Sequence, residues 1–357
     1  MENSSRKHYI FFGVIAFIIA VIMFFVGYLF FCGRYERTLE FAENHSKLIE
    51  VASILDERYI GDYDSGEFDD AVAAAMVSAI GDRWSYYMTA EEYLDYVDTM
   101  TNSYVGIGVT VTKADGEYVR VTAVTPGSGA EAAGVEVGDM IKAVDGSDVL
   151  GVALDEVKNL ILGDSGTTVS LTLLKADGSE ETVEAERRVI ETAAVAGEMI
   201  DGVGYVKISN FHRGAGDEII ETTNSLLDSG AGSIVYDVRF NGGGYLDELL
   251  KALDYLLPEG TIFVTEDING QRYTEESDAE CIDVPIAVLV NDSTYSAAEY
   301  FAETLREFGR ATVVGQQTTG KGYSQQVFYL SDGSAINLST MKYFTPDGTC
   351  LAGVGIT

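Results

Sequence analysis

A serine at the mouth of a helix and a lysine between two glycines are the residues of this chain best suited to chemistry. Ser296 follows a β-rich apolar run at 285–290 (PIAVLV), read as a buried strand, and the turn-forming Asn291-Asp292-Ser293. Beyond it Ala298, Phe301, Ala302, Leu305 and Phe308 recur at helical spacing, with Glu299, Glu303, Arg306 and Glu307 between them, so a helix begins at or just after Ser296. A hydroxyl there stands among unpaired backbone N–H groups at the positive end of a helix dipole, and such donors are what an oxyanion needs. Serine is a weak nucleophile without a base, and the three histidines, at 8, 45 and 212, all lie outside this stretch. The next candidate base is Lys321, 25 residues on, in Thr319-Gly320-Lys321-Gly322 after a second apolar run at 311–315 (ATVVG). Desolvation lowers a lysine's pKa toward neutrality and leaves a free amine able to take the serine proton. Gln325, four residues beyond, is placed to hydrogen-bond that amine and hold its orientation.

These loops need a scaffold. Residues 203–208 (VGYVKI) and 233–238 (SIVYDV) read as strands flanking a helix at 217–227, which makes 190–357 an α/β core. The turn Asn241-Gly242-Gly243-Gly244 permits close backbone approach, and Ser331-Asp332-Gly333-Ser334 between apolar runs signals a tight hairpin. Residues 103–189 differ in texture, with short strands and frequent glycines: Val105-Gly106-Ile107-Gly108-Val109 opens a strand, an amphipathic helix lies around 154–162, and 167–174 reads as a strand. Residues 33–102 read as helical, with Leu48, Val51, Ala52, Leu55 and Tyr59 on one face. Near its end a turn at 81–88 (GDRWSYYM) precedes a helix capped by Thr89. The aromatic cluster Trp84, Tyr86 and Tyr87 reads as packing.

The first eight residues are polar and carry Arg6 and Lys7; residues 9–32 are then 24 consecutive uncharged residues, long enough to cross a hydrocarbon core of about 30 Å. The run ends in bulky Leu29, Phe30 and Phe31 instead of a small-residue cleavage site, so it reads as an uncleaved anchor. Positive charge before the run puts the N-terminus in the cytoplasm and residues 33–357 outside it. A net charge of −34 argues against a nucleic-acid partner, because phosphate binding rests on a basic patch. With Cys32 at the end of the anchor, at most one disulfide, Cys281 to Cys350, is available, and the cysteine spacing provides no metal cluster.

Ser-Ala-Ala-Glu at 296–299, Gly-Arg-Ala-x-Val-Val-Gly at 309–315 and Thr-x-Gly-Lys-Gly-x-x-Gln at 318–325 together resemble the C-terminal processing peptidases, tail-specific serine proteases with a Ser/Lys pair. The resemblance implies Ser296 as nucleophile, Lys321 as base and Gln325 as its orienting residue. It implies a crotonase/ClpP-like α/β peptidase core. The Asp237 to Gly244 turn is similar to the family's Asp-Leu-Arg-x-Asn-Pro-Gly-Gly, with Gly242 in place of proline, which implies an oxyanion hole from the N–H groups of Gly243 and Ala297, Gly242 remaining an alternative. Residues 81–88 are similar to the family's Leu-Asp-Pro-x-Ser-x-Tyr but lack the leucine and the proline. Residues 103–189 resemble a PDZ domain, which implies that Ile107, Gly108 and Val109 receive a terminal carboxylate while an extended tail adds as a strand. The expectation is thus a membrane-anchored endopeptidase, with no metal or organic cofactor, that takes protein substrates by their C-terminal tails and whose helical arm can mediate a homodimer. The alternatives are a non-catalytic PDZ adaptor on a peptidase scaffold and, more remotely, a thioester hydrolase or hydratase on the crotonase-like fold.

Overall fold

The computed structural model describes residues 21–25, 27–28, 42–114 and 116–356. The anchor expected at 9–32 lies almost wholly outside them, and among the described residues no helix is long and apolar enough to cross a membrane. The chain divides into Met1–Asp69 and Asp70–Thr357. In the first unit, α1 (Ser46–Arg58) buries none of its residues, and Leu48 and Val51 of its apolar face are exposed. The second helix, α2 (Ser65–Ser78), runs across the division.

Next come β1 (Tyr86–Met88) and α3 (Ala90–Met100). The cap expected at Thr89 is present: its hydroxyl accepts from Glu92 N–H at 3.2 Å while the Glu92 carboxylate accepts from Thr89 N–H at 2.9 Å. The β-rich region follows as β2 (Ser103–Gly106), β3 (Val109–Thr112), β4 (Val119–Val124), the single turn α4 (Gly129–Ala132), β5 (Met140–Val144), β6 (Ser147–Asp148), α5 (Leu154–Ile161), β7 (Thr168–Leu174) and β8 (Glu180–Glu186). Its sheet has the order β3-β4-β5-β7-β8, with β6 on β5, so β3 is an edge strand. Alternation along β7, TVSLTLL, sends Val169, Leu171 and Leu173 into a core shared with Ile107, Val121, Ile141 and Val157. Strand β9 (Arg188–Glu191) returns the chain and pairs antiparallel with β2.

The remaining elements are β10 (Val195–Ile200), β11 (Val203–Ile208), α6 (Ala215–Asp228), β12 (Ile234–Asp237), α7 (Leu246–Leu256), β13 (Gly260–Glu266), β14 (Arg272–Ser277), β15 (Ile286–Val290), α8 (Ala297–Glu307), β16 (Ala311–Gly315), β17 (Tyr323–Tyr329) and β18 (Ala335–Phe344). One sheet runs β10-β11-β12-β15-β16; β11, β12, β15 and β16 are parallel and β10 pairs antiparallel at the edge. Parallel strands joined through helices are covered on both faces, which is why IVYD and IAVLV read as near-continuous apolar runs. Phe301 of α8 packs its ring against those of Phe211 and Tyr236, all fully buried. A second sheet, β1-β18-β13-β14 with β17 also on β18, brings the segment just before the β-rich region onto the end of the core through Tyr86↔Asn337 and Met88↔Ala335. Cys281 and Cys350 are free thiols.

Candidate active site

Ser296 lies between the end of β15 and α8, and the loop holding it is stitched to the turn after β12. Asn291 Oδ1 accepts from Phe240 N–H at 2.9 Å, the Thr294 hydroxyl donates to the Val238 carbonyl at 2.9 Å, and Tyr295 N–H donates to the Asn241 carbonyl at 3.1 Å. Ser296 itself has φ 60° and ψ −128°. A non-glycine residue rarely adopts that conformation, which costs on the order of 1–3 kcal/mol and persists only where the surroundings over-determine it. Here it presents the side chain at the helix mouth beside the N–H of Ala297, which belongs to the first turn and has no intrahelical acceptor.

The group that over-determines it is Glu299, which is fully buried. Its Oε2 accepts from Ser296 N–H at 3.1 Å and from Lys321 N–H at 2.9 Å; its Oε1 accepts from Gly320 N–H at 2.6 Å and from the Thr318 hydroxyl. One carboxylate therefore ties the backbone of the serine to the backbone of the lysine loop. Charge-assisted bonds of this kind are about twice as strong as neutral ones. Only one of its four bonds, that from Ser296 N–H, supports the helix start. The signal for the capping contact was in the sequence, a serine followed three residues later by glutamate, but the reach to 318–321 was not.

Lys321 is half-buried, and burial drives its pKa down from 10.5 to about 8, against the pull of the Asp82 and Glu299 carboxylates and with some help from the Arg83 cation. Its Nζ stands 4.7 Å from the centre of the Trp84 ring. Among the described residues no hydrogen bond joins Nζ to Ser296 Oγ. Tyr343 bridges the two instead: its phenol donates to the Lys321 carbonyl and interacts with the Ser296 side chain, and burial holds its own pKa well above 10. Gln325, expected against the amine, makes no hydrogen bond to it among the described residues. Its carboxamide donates to the Tyr323 carbonyl and to Ser339 Oγ, both at 2.9 Å, on a strand whose register shifts between Ser324 and Gln325. That bulge redirects the side chain and could not be read from spacing.

The glycine turn approaches the serine as expected. A Cβ on Gly243, whose φ is 92°, would lie 2.8 Å from Ser296 Cβ and 2.9 Å from the Ala297 nitrogen. Its N–H, however, donates to Asn241 Oδ1 at 2.8 Å, and buried Asn241 is itself anchored through Nδ2 to the Ile208 carbonyl at 2.9 Å. The donor assigned to the oxyanion is thus engaged within its own turn in this conformation. Gly244 of the same turn, together with Ser296 and Ala297, lines a cavity of about 50 Å³ whose other walls include Leu249, Phe263 and Tyr300. Gly242 faces Tyr295, whose hydroxyl would be 2.5 Å from an added Cβ.

In the β-rich region the carbonyls of Ile107 and Gly108 accept from Ala130 and Thr125 N–H, each at 2.8 Å, while among the described residues their own N–H groups have no partner. Val109 begins the edge strand β3 opposite Val124. Gly108 has φ 79°, and a Cβ there would meet Ser128 Cβ at 2.3 Å. These three residues are brought together at an open sheet edge, the geometry that accepts an added strand.

A chain with this sheet order, a β-rich insertion before the core and a serine and a lysine on adjacent strand-end loops has recognisable relatives. Residues 202–357 match the model of peptidase family S41, and residues 97–174 match that of the PDZ domain. Over 315 residues the chain is 32% identical to a probable CtpA-like serine protease of Staphylococcus haemolyticus (strain JCSC1435), covering 87% of this chain and 63% of that protein. With the counterpart from Staphylococcus aureus (strain N315) it is 33% identical over 318 residues, covering 88% and 64%. Among solved structures it is similar to the photosystem II D1 C-terminal processing protease, at 26% identity and TM-score 0.50, covering 87% of this chain and 85% of that one. A putative S41 protease from Bacteroides fragilis NCTC 9343 shares the fold at TM-score 0.56 and 18% identity, covering 84% of each chain. Residues 202–357 thus carry an S41 peptidase region and residues 97–174 a PDZ domain, and along most of its length the chain is similar to C-terminal processing proteases. It spans a little under two thirds of the length of the curated relatives.

Proposed function

We propose that this chain is a membrane-anchored serine endopeptidase that captures the C-terminal tail of a protein substrate in its PDZ domain and cuts it at Ser296. The observation that carries the reading is the single carboxylate of Glu299 accepting from the backbone of both Ser296 and Lys321, which fixes the nucleophile and a lysine of lowered pKa in one loop cluster. Ser296 Oγ attacks the peptide carbonyl carbon as its proton passes to the neutral Lys321 amine. The resulting ammonium returns that proton to the leaving amine, and water repeats the sequence on the acyl-enzyme. For the first step the Lys321 side chain swings from the Trp84 ring toward Ser296. The tetrahedral oxyanion is received by the Ala297 N–H and a glycine N–H of the 242–244 turn, which is Gly243 once its bond to Asn241 opens. Gln325 acts at one remove, through Ser339.

The small cavity beside Ser296 suits a compact apolar side chain next to the scissile bond, since its walls are largely hydrocarbon and aromatic. Residues 9–32 provide the membrane span and place the peptidase outside the cytoplasm. The test is cleavage of casein by the full chain in detergent, alongside Ser296→Ala and Lys321→Ala. Both variants should fold and lose cleavage, and a Ser296-reactive fluorophosphonate should label the wild type and not Ser296→Ala. Tail-peptide binding without Ser296-dependent cleavage would instead identify an adaptor, and turnover of a thioester without casein cleavage would point to the crotonase-like chemistry.

A further inference from the structure

The turn at 82–84, whose Trp84 reads from sequence as packing, reaches the lysine from the far side of the PDZ domain in the chain. The Asp82 carboxylate accepts from the Ser85 hydroxyl at 2.6 Å and from Trp84 N–H at 3.1 Å, and it interacts with the Ser339 side chain. Buried Ser85 in turn accepts from Ser339 N–H at 2.9 Å, and Asn337 Nδ2 donates to the Trp84 carbonyl at 3.2 Å, so the turn is locked onto β18, the strand that carries Tyr343. The Trp84 ring receives the Lys321 amine at 4.7 Å and the Arg83 guanidinium carbon at 4.2 Å, and packs against Tyr295, the neighbour of Ser296, at 5.4 Å.

We propose that residues 82–84 are positioning residues of the site: an anion, an aromatic face and a cation gathered around the Lys321 amine to hold it and to govern when it is free to act. This rests on the reading of Lys321 as the base. Asp82 and the face of Trp84 attract only the ammonium form, whereas exposed Arg83 repels it. Once the proton leaves, the attraction to the ring vanishes and the amine is released toward Ser296. The other groups facing this residue are Glu299 from α8, which also favours the ammonium, and the Tyr343 phenol, which is bound to the Lys321 carbonyl. Within the turn itself the two charges have opposite signs, so removing them must have opposite consequences.

Trp84 is the only tryptophan in the chain, and its fluorescence therefore reports on the charge above it without any need for catalysis. In the full chain held in detergent, the emission should titrate near about pH 8, and Lys321→Met should abolish that transition. Asp82→Asn should move the midpoint to lower pH by about 1 unit, and Arg83→Gln should move it to higher pH by a smaller amount, because an exposed charge is screened. The acid limb of kcat/KM on casein should move in the same two directions. Midpoints that stay with the wild type, or that shift the same way in both variants, overturn the proposal; exposed Arg83→Gln keeps the test decisive should Asp82→Asn misfold. Opposite shifts in fluorescence with no Ser296-dependent cleavage would instead sustain the arrangement around Lys321 and refute the peptidase reading.

Discussion

Replacing Lys321 by methionine should make the protein more stable while destroying its activity. The side chain ends one atom short of lysine's and loses the amine whose charge the fold disfavours. In the unfolded chain the lysine titrates at its ordinary 10.5, and in the folded protein at about 8. Below pH 8 both states hold the proton, and the folded state bears the full penalty of that gap, about 3 kcal/mol at ~1.4 kcal/mol per pH unit. Between about 8 and 10.5 the unfolded state holds the proton and the folded state does not, so wild-type stability rises with pH across this window and levels off above it. The difference between Lys321→Met and wild type should accordingly be about 3 kcal/mol in favour of the variant at neutral pH and shrink toward zero by about pH 10.5. Subtracting one protein from the other removes the titration of every other group. The assay is urea denaturation followed by the single tryptophan, which reads the unfolding of the site itself. A variant no more stable than wild type at pH 7, or a difference that does not change with pH, would refute the argument that a desolvated ammonium is held here at a cost.

Glu299→Gln should lower both stability and turnover. An amide NH2 in place of one carboxylate oxygen faces two donors it cannot accept from, so about 3–6 kcal/mol of stability is lost and kcat falls far more than KM rises, measured by denaturation and steady-state cleavage. Gly108→Ala should weaken binding of a C-terminal tail peptide by roughly tenfold or more, because the new Cβ drives into Ser128 at a φ that favours glycine; equal tail affinity by fluorescence anisotropy would contradict the placement of the carboxylate site.

What was legible in the sequence is what local pattern controls. The strand before Ser296, the helix after it and the strand before Lys321 all follow from apolar periodicity, and the observed β15, α8 and β16 lie within a residue or two of the runs that announced them. What was not legible depends on pairing across long stretches of chain. Strand β1 meets β18 some 250 residues later, and only that pairing sets Asp82 and Trp84 beside Lys321. Gln325 stands at the right interval from the lysine, yet the shift at Ser324 turns it to Ser339, a detail of ladder geometry that spacing cannot encode. Asn241 is similar: its type suggests a turn, but that its side chain would take the Gly243 N–H required the fold.

These misses share a physical cause that bears on how the site works. Two of the sequence-assigned contacts are taken by a third residue, Asn241 holding the Gly243 N–H and the Trp84 ring receiving the Lys321 amine, and the Gln325 amide nitrogen is held by Ser339. Each such contact is worth only about 1–2 kcal/mol. A bound substrate that places a carbonyl oxygen at Ala297 N–H and an acyl carbon at Ser296 Oγ offers replacements of at least that size. The backbone anchors that must not move, Glu299 to Ser296 and to Lys321, are by contrast buried and charge-assisted. Strong bonds thus fix where the two loops run, and weak ones hold the side chains that have to rearrange, so a substrate can complete the site by exchanging side-chain contacts while the backbone stays in place.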